Sequence, residues 1–258
     1  AGGEHPTLNV EERKAAMDVA VEAARGEVPV LASIQHTDTR VILELAKHAV
    51  EAGIQGMQLS PLYYYPATEG DVIRLFEMVA DVSDVSIMVY HTWWDSLNMS
   101  LGLLKRLIEI DNIKALKWSA SEDQQYREVI QALVGDLALV DNSGQDVWAH
   151  ILGVRAFVTH TSNSWPQYPL GIWQLLQNKE YTKVTERLEF FKWKWTKWTS
   201  KVMDITGGEG PFIKAAMEAV GLPAGPPRPA SIRPPQNLLA ELKDMLNSSG
   251  VPKVSTDI

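Results

Sequence analysis

The sequence predicts an α/β protein in which parallel strands are joined by helical crossovers and a wholly helical region follows. Three observations carry this. Short apolar runs alternate with stretches whose apolar residues recur at helical spacing, from residue 28 to residue 159. Each strand is followed by a helix, so neighbouring strands pair in parallel through right-handed crossovers. Beyond residue 159 the strand pattern stops and helical segments take over.

Taken in order, residues 28–35 (VPVLASIQ) read as a buried strand. Residues 39–52 place Val41, Leu43, Leu45, Ala46 and Val50 at helical spacing, and Gly53 stops the helix. Residues 56–59 (GMQL) form a short strand that ends in the loop Ser60-Pro61. Residues 68–82 are helical, with Thr68 as N-cap. Residues 85–90 (VSIMVY) are a strand, and 100–110 a helix capped by Ser100. Residues 113–118 (IKALKW) are a strand and 123–133 a helix. Residues 137–141 (LALVD) are a strand, 145–152 a helix, and 156–159 (AFVT) a last strand. The helical region comprises 165–177, 181–202, 211–220 and 237–246, with a Pro-rich extended connector at 223–235. The expected division is therefore a strand–helix region at 1–163 and a helical region at 164–258. Six such strands fit either an open doubly wound sheet or a closed (β/α)₈ barrel. No G-x-G-x-x-G follows a strand, which removes support for a dinucleotide-binding sheet.

Composition narrows the function classes. The 258 residues suffice for one large core. A net charge of −8 disfavours nucleic acid as a partner, because phosphate binding wants a basic surface. With no cysteine there is no disulfide framework, thiolate nucleophile or Cys-ligated metal, and a reducing compartment, the cytoplasm, is the expected location. No run reaches the roughly 18 apolar residues of a membrane span. The N-terminus has no basic segment before an apolar core, so neither a membrane partner nor a signal peptide is expected.

Lys117 stands at the end of an apolar strand, between Leu116 and Trp118. A lysine is rarely buried, and desolvation there penalises the ammonium, leaving a neutral amine able to attack a carbonyl carbon. The alternative is a strand-end lysine that reaches solvent. Lys114 points to the opposite face and is expected to be exposed. Tyr90 ends another strand, where a phenol can relay a proton to a substrate carbonyl or hydroxyl, or simply sit at the core edge. Gly2-Gly3-Glu4 can offer backbone N–H groups to an anion. Tyr63-Tyr64-Tyr65-Pro66 is an aromatic loop. The histidines at 5, 36, 48, 91, 150 and 160 lack metal-ligand spacing, so no metal is expected; His91 and His160 follow strand ends and could line a site. Trp193, Trp195 and Trp198, interleaved with Lys192, Lys194 and Lys197, read as a helix packing tryptophans under lysine stems.

In this order the segments resemble one family. Residues 1–8 (AGGEHPTL) look like a G-T-T-G-E-x-x-x-L turn, and residues 60–70 (SPLYYYPATEG) look like T-P-Y-Y-x-x-P-x-x-E-G. Val89-Tyr90-His91 is similar to a strand-end Y-N motif, and residues 113–119 (IKALKWS) to I-x-G-I-K-E-x-S. These are motifs of the dihydrodipicolinate synthase / N-acetylneuraminate lyase family of class I aldolases, and the resemblance covers essentially the whole chain.

The resemblance implies a (β/α)₈ TIM barrel with a C-terminal helical extension. It also implies a lyase that breaks or forms a C–C bond of a 2-oxo acid through a Schiff base, without a cofactor, in a homo-oligomer (dimer or tetramer). Lys117 matches the Schiff-base lysine, and Tyr90 the proton-shuttling tyrosine. Tyr63 matches the second loop tyrosine, which in synthase members reaches a neighbouring subunit's site. Gly2 and Gly3 match the turn that holds the keto-acid carboxylate, and Val158 and Thr159 the site-lining end of the last strand. His91 and Trp94 fall at the same mouth. Dehydration or decarboxylation through the same Schiff base, and a barrel that binds without catalysis, are the alternatives.

The departures bear on substrate. The paired turn hydroxyls fall on Ala1 and Gly2, which have none. The arginine that grips a second carboxylate in synthase members falls on Asp95, so dihydrodipicolinate synthesis is not expected. The acidic residues that grip a sugar chain in sialic acid lyases fall near Ser143 and Gly144. Trp93, Trp94, Trp118 and Tyr64 are expected near the mouth, where an aromatic lining suits an apolar or aromatic substrate portion. The family's turn follows its second strand. Its first strand, first helix and second strand are thus expected in a segment preceding the given sequence.

Overall fold

The computed structural model describes residues 2–254, which divide into two compact units: residues 9–158, and residues 2–8 together with 159–254. Residues 2–8 thus group with the helical region, and the division falls between Val158 and Thr159.

The first unit opens with a helix that the apolar spacing did not reveal, α1 (Val10–Ala24). Only Arg13 and Met17 of α1 are buried, so it carries almost no apolar stripe. Its signature is local: Asn9 accepts from the Glu12 N–H while the Glu12 carboxylate accepts from the Asn9 N–H. Then come β1 (Leu31–Ser33), α2 (Thr39–Ala52), β2 (Gly56–Leu59), α3 (Glu69–Val82), β3 (Ser86–Tyr90) and α4 (Leu101–Leu107). They are followed by β4 (Ile113–Trp118), α5 (Asp123–Leu133), β5 (Ala138–Asp141), α6 (Asp146–Ile151) and β6 (Ala156–Phe157). Thr68 caps α3 through a reciprocal pair with Asp71, and Ser100 caps α4, each worth about 1 kcal/mol.

All six strands pair in parallel, in the order β1-β2-β3-β4-β5-β6. Strictly consecutive order has no switch point, which separates this sheet from a doubly wound one and fits the wall of a TIM barrel. β1 is shorter than its apolar run: Val28 and Leu31 are more than half exposed, and the strand register with β2 runs from Leu31 to Ser33.

The two faces of the sheet differ. Ile87 and Val89 of β3, Leu116 and Trp118 of β4 and Leu139 of β5 are at most 1% exposed and pack under the helices. α2 contributes Ile42, Leu45, Ala46 and Ala49, spaced three, four and seven along the helix. Burying one such leucine or isoleucine contributes about 2 kcal/mol. Alternation sends Met88 and Tyr90, Ala115 and Lys117, and Val140 to the opposite face.

The second unit holds α7 (Gln167–Gln177), α8 (Tyr181–Thr206), α9 (Glu209–Ala219) and α10 (Gln236–Ser248), with the Pro-rich 223–235 segment irregular as expected. Trp195 and Trp198 are buried, and the Trp198 indole donates to the Leu238 carbonyl (2.9 Å). Trp193 departs from the expectation: it lies on the outer face of α8 and is 64% exposed. Among the described residues no helix is long and apolar enough to cross a membrane.

Candidate active site

Parallel register brings Tyr90 and Lys117 side by side at the C-terminal ends of β3 and β4. Both are buried, and Lys117 Nζ lies 3.8 Å from the centroid of the Tyr90 ring. Of the two readings of the strand-end lysine, the buried one holds, while Lys114 is exposed as its position predicted. An amine held over an aromatic face keeps its nitrogen pointed at one place on the sheet, as a nucleophile requires.

Aromatic rings extend outward from this pair. Trp94 meets Tyr90 edge-on (centroids 6.0 Å), and Trp93 meets Trp94 (5.7 Å). Both tryptophans are on the β3–α4 loop and are 37% and 49% exposed, Trp93 and Trp94 respectively. The Ser96 hydroxyl donates to the Leu62 carbonyl (2.7 Å), tying this loop to the β2–α3 loop that carries Tyr63. Tyr63 is half-buried. Burial pushes its phenol above the usual range, nearby Arg13 acts the other way, and the negative charge of Asp95 adds to the rise. Tyr64 and Tyr65 form their own edge-on pair and are largely exposed, with Tyr64 in the left-handed region (φ 86°).

Two sequence expectations change here. His91 does not line the site. It is fully buried on the helix-facing side, its ring stacked on Trp118 at 4.4 Å, with Nδ1 2.6 Å from the Ser119 carbonyl and Nε2 accepting from the Met99 N–H. Trp118 likewise belongs to the core, its indole donating to the Tyr126 carbonyl, and so is not part of the mouth. The reason is alternation: both residues directly follow a residue of the lysine face, so both point away from it. Burial lowers the His91 pKa, although the Ser119 carbonyl and Asn98 favour its charged form.

Val158 is on the lysine face, one position past β6, and is 45% exposed. Gly2, Gly3 and Thr159 belong to the other unit; Ala1 lies outside the described residues. A Cβ on Gly2 would come within 2.6 Å of the Ile213 Cδ1, so a side chain there would require that methyl group to move. Glu4, in the left-handed region (φ 54°), anchors the turn through Lys214 Nζ (2.5 Å) and the Arg228 N–H (3.0 Å). Burial works against its ionisation, but these two donors outweigh it and hold the carboxyl below its usual range. The Thr159 hydroxyl accepts from the Thr161 N–H and contacts the Thr161 hydroxyl, within a turn that places His160 3.2 Å from Glu209.

Sequence reading passed over a polar network beside the site. Arg13, 4% exposed, donates to the carbonyls of Ser33 and Gln35 (2.8 Å each). The Gln35 amide accepts from Ser33 and Gln58 and donates to Ser60, the residue that opens the β2–α3 loop. The signal for it is the row of polar residues, Ser33, Gln35, Gln58 and Ser60, on alternate positions of two otherwise apolar strands.

The model of the dihydrodipicolinate synthetase family matches residues 1–248. The chain belongs to the dihydrodipicolinate synthetase family. Among curated members, a 4-hydroxy-tetrahydrodipicolinate synthase of Syntrophobacter fumaroxidans is 34% identical over 145 residues, which is 56% of this chain and 49% of that protein. This chain thus matches about half the length of the first such relatives. An uncharacterized DapA-like lyase of Thermococcus onnurineus is 28% identical over 90% of this chain and 78% of its own length. Two solved structures share the family fold. The prophage protein YagE of E. coli K12, solved with pyruvate, aligns with a TM-score of 0.84 at 24% identity, covering 97% of this chain and 85% of its own. CdNal of Clostridium difficile, solved with mannosamine, aligns at 0.85 and 18%, covering 96% and 83%.

Proposed function

We propose that this family member is a class I lyase that makes or breaks a C–C bond of a 2-oxo acid through a Schiff base on Lys117. The observation that carries the reading is the buried Lys117 amine over the Tyr90 ring at the C-terminal strand ends, the end at which TIM-barrel enzymes do their chemistry. The lysine attacks C2 of the oxo acid and water leaves. The resulting iminium accepts the electron pair of the C3–C4 bond as the C4 hydroxyl gives up its proton, releasing an aldehyde and leaving an enamine; protonation at C3 restores the iminium, and water hydrolyses it to free the shorter oxo acid and Lys117. Tyr90 is the proton relay for the departing or forming oxygen. The motif resemblance alone assigns the carboxylate to the Gly2 and Gly3 N–H groups and adds Tyr63, Val158 and Thr159 as further substrate-binding residues.

The substrate carries an apolar or aromatic portion. Support comes from the ring series Tyr90–Trp94–Trp93, which offers edge and face contacts continuous from the lysine outward, and from Asp95, whose charge disfavours an acidic aldehyde. The working form is a homo-oligomer in the cytoplasm.

Borohydride reduction in the presence of pyruvate and a panel of larger 2-oxo acids, followed by peptide mapping, tests the reading. The expected result is a reduced adduct on Lys117 that is lost in Lys117→Ala. No adduct on Lys117 with any member of the panel overturns it. Within the panel, aryl-substituted members are expected to lose about tenfold in kcat/KM in Trp94→Ala while small aliphatic ones do not.

A further inference from the structure

His160 and Glu209 stand beside the place where a side chain of Gly2 would begin. A Cβ built on Gly2 would lie 3.7 Å from Glu209 Oε2 and 3.8 Å from His160 Cδ2. All three residues belong to the second unit, so their arrangement is set within it. His160 Nε2 lies 3.2 Å from Glu209 Oε2, and the imidazole meets the Phe212 ring edge-on (centroids 5.2 Å). Glu209 and Phe212 both come from the start of α9, so one helix end fixes the imidazole from two sides.

Glu209 is in the first turn of α9, where the helix dipole favours a negative charge. It therefore sets a carboxylate beside the turn to which the substrate carboxylate is assigned. Two like charges at such a distance repel, and salt at physiological strength screens them only beyond about 8 Å. His160 and Glu209 side chains are 38% and 27% exposed, so solvent weakens this repulsion without removing it. A protonated His160 cancels the Glu209 charge and presents its own to Gly2. Glu4, which packs against Gly210, is already met by Lys214 Nζ (2.5 Å) and the Arg228 N–H (3.0 Å). The charge next to Gly2 thus turns on the His160–Glu209 pair.

We propose that His160, oriented by Glu209, supplies the positive charge that draws the oxo-acid carboxylate to the Gly2–Gly3 turn, in place of the hydroxyl that Gly2 lacks. The proposal rests on the Schiff-base reading above, including its assignment of the carboxylate to that turn, and adds the group that selects for the carboxylate's charge. His160 acts through its charge and determines specificity; the bond-making atoms belong to Lys117 and the substrate. The consequence is a preference for an anionic 2-oxo acid over a neutral ketone of the same shape.

Borohydride trapping on the full chain at low ligand concentration tests this, with pyruvate and with its neutral amide, pyruvamide. The unaltered protein is expected to trap pyruvate faster than pyruvamide. His160→Gln leaves Glu209 facing the turn and is expected to trap pyruvate about tenfold more slowly, with pyruvamide at the parental rate. Saturating pyruvate restores the rate in that variant, as a loss confined to binding requires. Glu209→Gln removes the repulsion and is expected to trap pyruvate about threefold faster. The double variant H160Q/E209Q is then expected to trap pyruvate about tenfold more slowly than Glu209→Gln, again with no change for pyruvamide. Should His160→Gln fail to fold, this second comparison carries the test, because it leaves no unmatched carboxylate behind. Pyruvate trapping that is indifferent to His160, or equal losses for pyruvate and pyruvamide, overturns the proposal while leaving the Schiff base standing. Absence of any Lys117 adduct in the unaltered protein removes the Schiff base itself and the proposal with it.

Discussion

Lys117 Nζ sits 3.8 Å from the centre of the Tyr90 ring, on paired positions of neighbouring strands. In the mechanism proposed above, the ring and the hydroxyl of Tyr90 have separable jobs: the ring fixes the amine and the phenol oxygen handles a proton.

Tyr90→Phe keeps the ring and removes the hydroxyl. The final extent of Lys117 adduct with pyruvate is expected to be retained, while its rate of formation falls about a hundredfold. Quenched-flow borohydride trapping measures both. Adduct formation at the unaltered rate would take the proton role away from Tyr90.

His91 is buried with both ring nitrogens bonded, and burial lowers its pKa from the ordinary 6.5. The folded state therefore keeps it neutral where the unfolded chain has begun to take a proton. Its contribution to stability is full above about pH 6.5 and is lost as the pH falls from there towards the folded-state value. Thermal unfolding followed between pH 7 and 5 is expected to show Tm falling with pH, and His91→Gln to flatten that slope. An equal slope in the variant would assign the acid sensitivity to other groups.

The Asp141 carboxylate accepts from the Tyr126 hydroxyl (2.8 Å) and from the N–H groups of Ser143 and Gln145. Burial pushes the pKa values of both Asp141 and Tyr126 up. Asp141→Ala strands three donors and is expected to cost about 3 kcal/mol, whereas Tyr126→Phe removes one bond and costs about 1 kcal/mol. Urea unfolding of the two variants decides it, and equal losses would mean that the β5–α6 turn does not depend on the carboxylate.

Arg13 is the sole charged member of the Ser33–Gln35–Gln58–Ser60 network among the described residues, and it bonds two backbone carbonyls. Replacing it with leucine leaves both carbonyls unsatisfied and is expected to cost about 3 kcal/mol. Because Ser60 opens the loop that carries Tyr63, the same variant should raise KM for oxo acids more than it lowers kcat. Unfolding curves and steady-state kinetics on one preparation check both parts.

Much of this was legible beforehand. Strand–helix alternation announced a parallel sheet, because period two and period 3.6 bury different positions. Thr68, Ser100 and Gly53 marked helix ends through capping chemistry that depends only on neighbours in the chain. α1 escaped because its apolar residues form no stripe, although the Asn9–Glu12 capping pair stood in the sequence. Nearness to a strand end does not bring His91 into the site, because a shift of one residue turns a side chain to the opposite face.

By itself the sequence determined the parallel α/β class and the pairing of a strand-end lysine with a strand-end tyrosine as the chemical suspects. These follow from local periodicity and residue chemistry. Only the tertiary structure decided that Lys117 is buried against Tyr90 and that His91 and Trp118 turn into the core. Such relations depend on the register between strands distant in the chain. Register is settled when whole faces are buried together, and no short stretch of sequence encodes that.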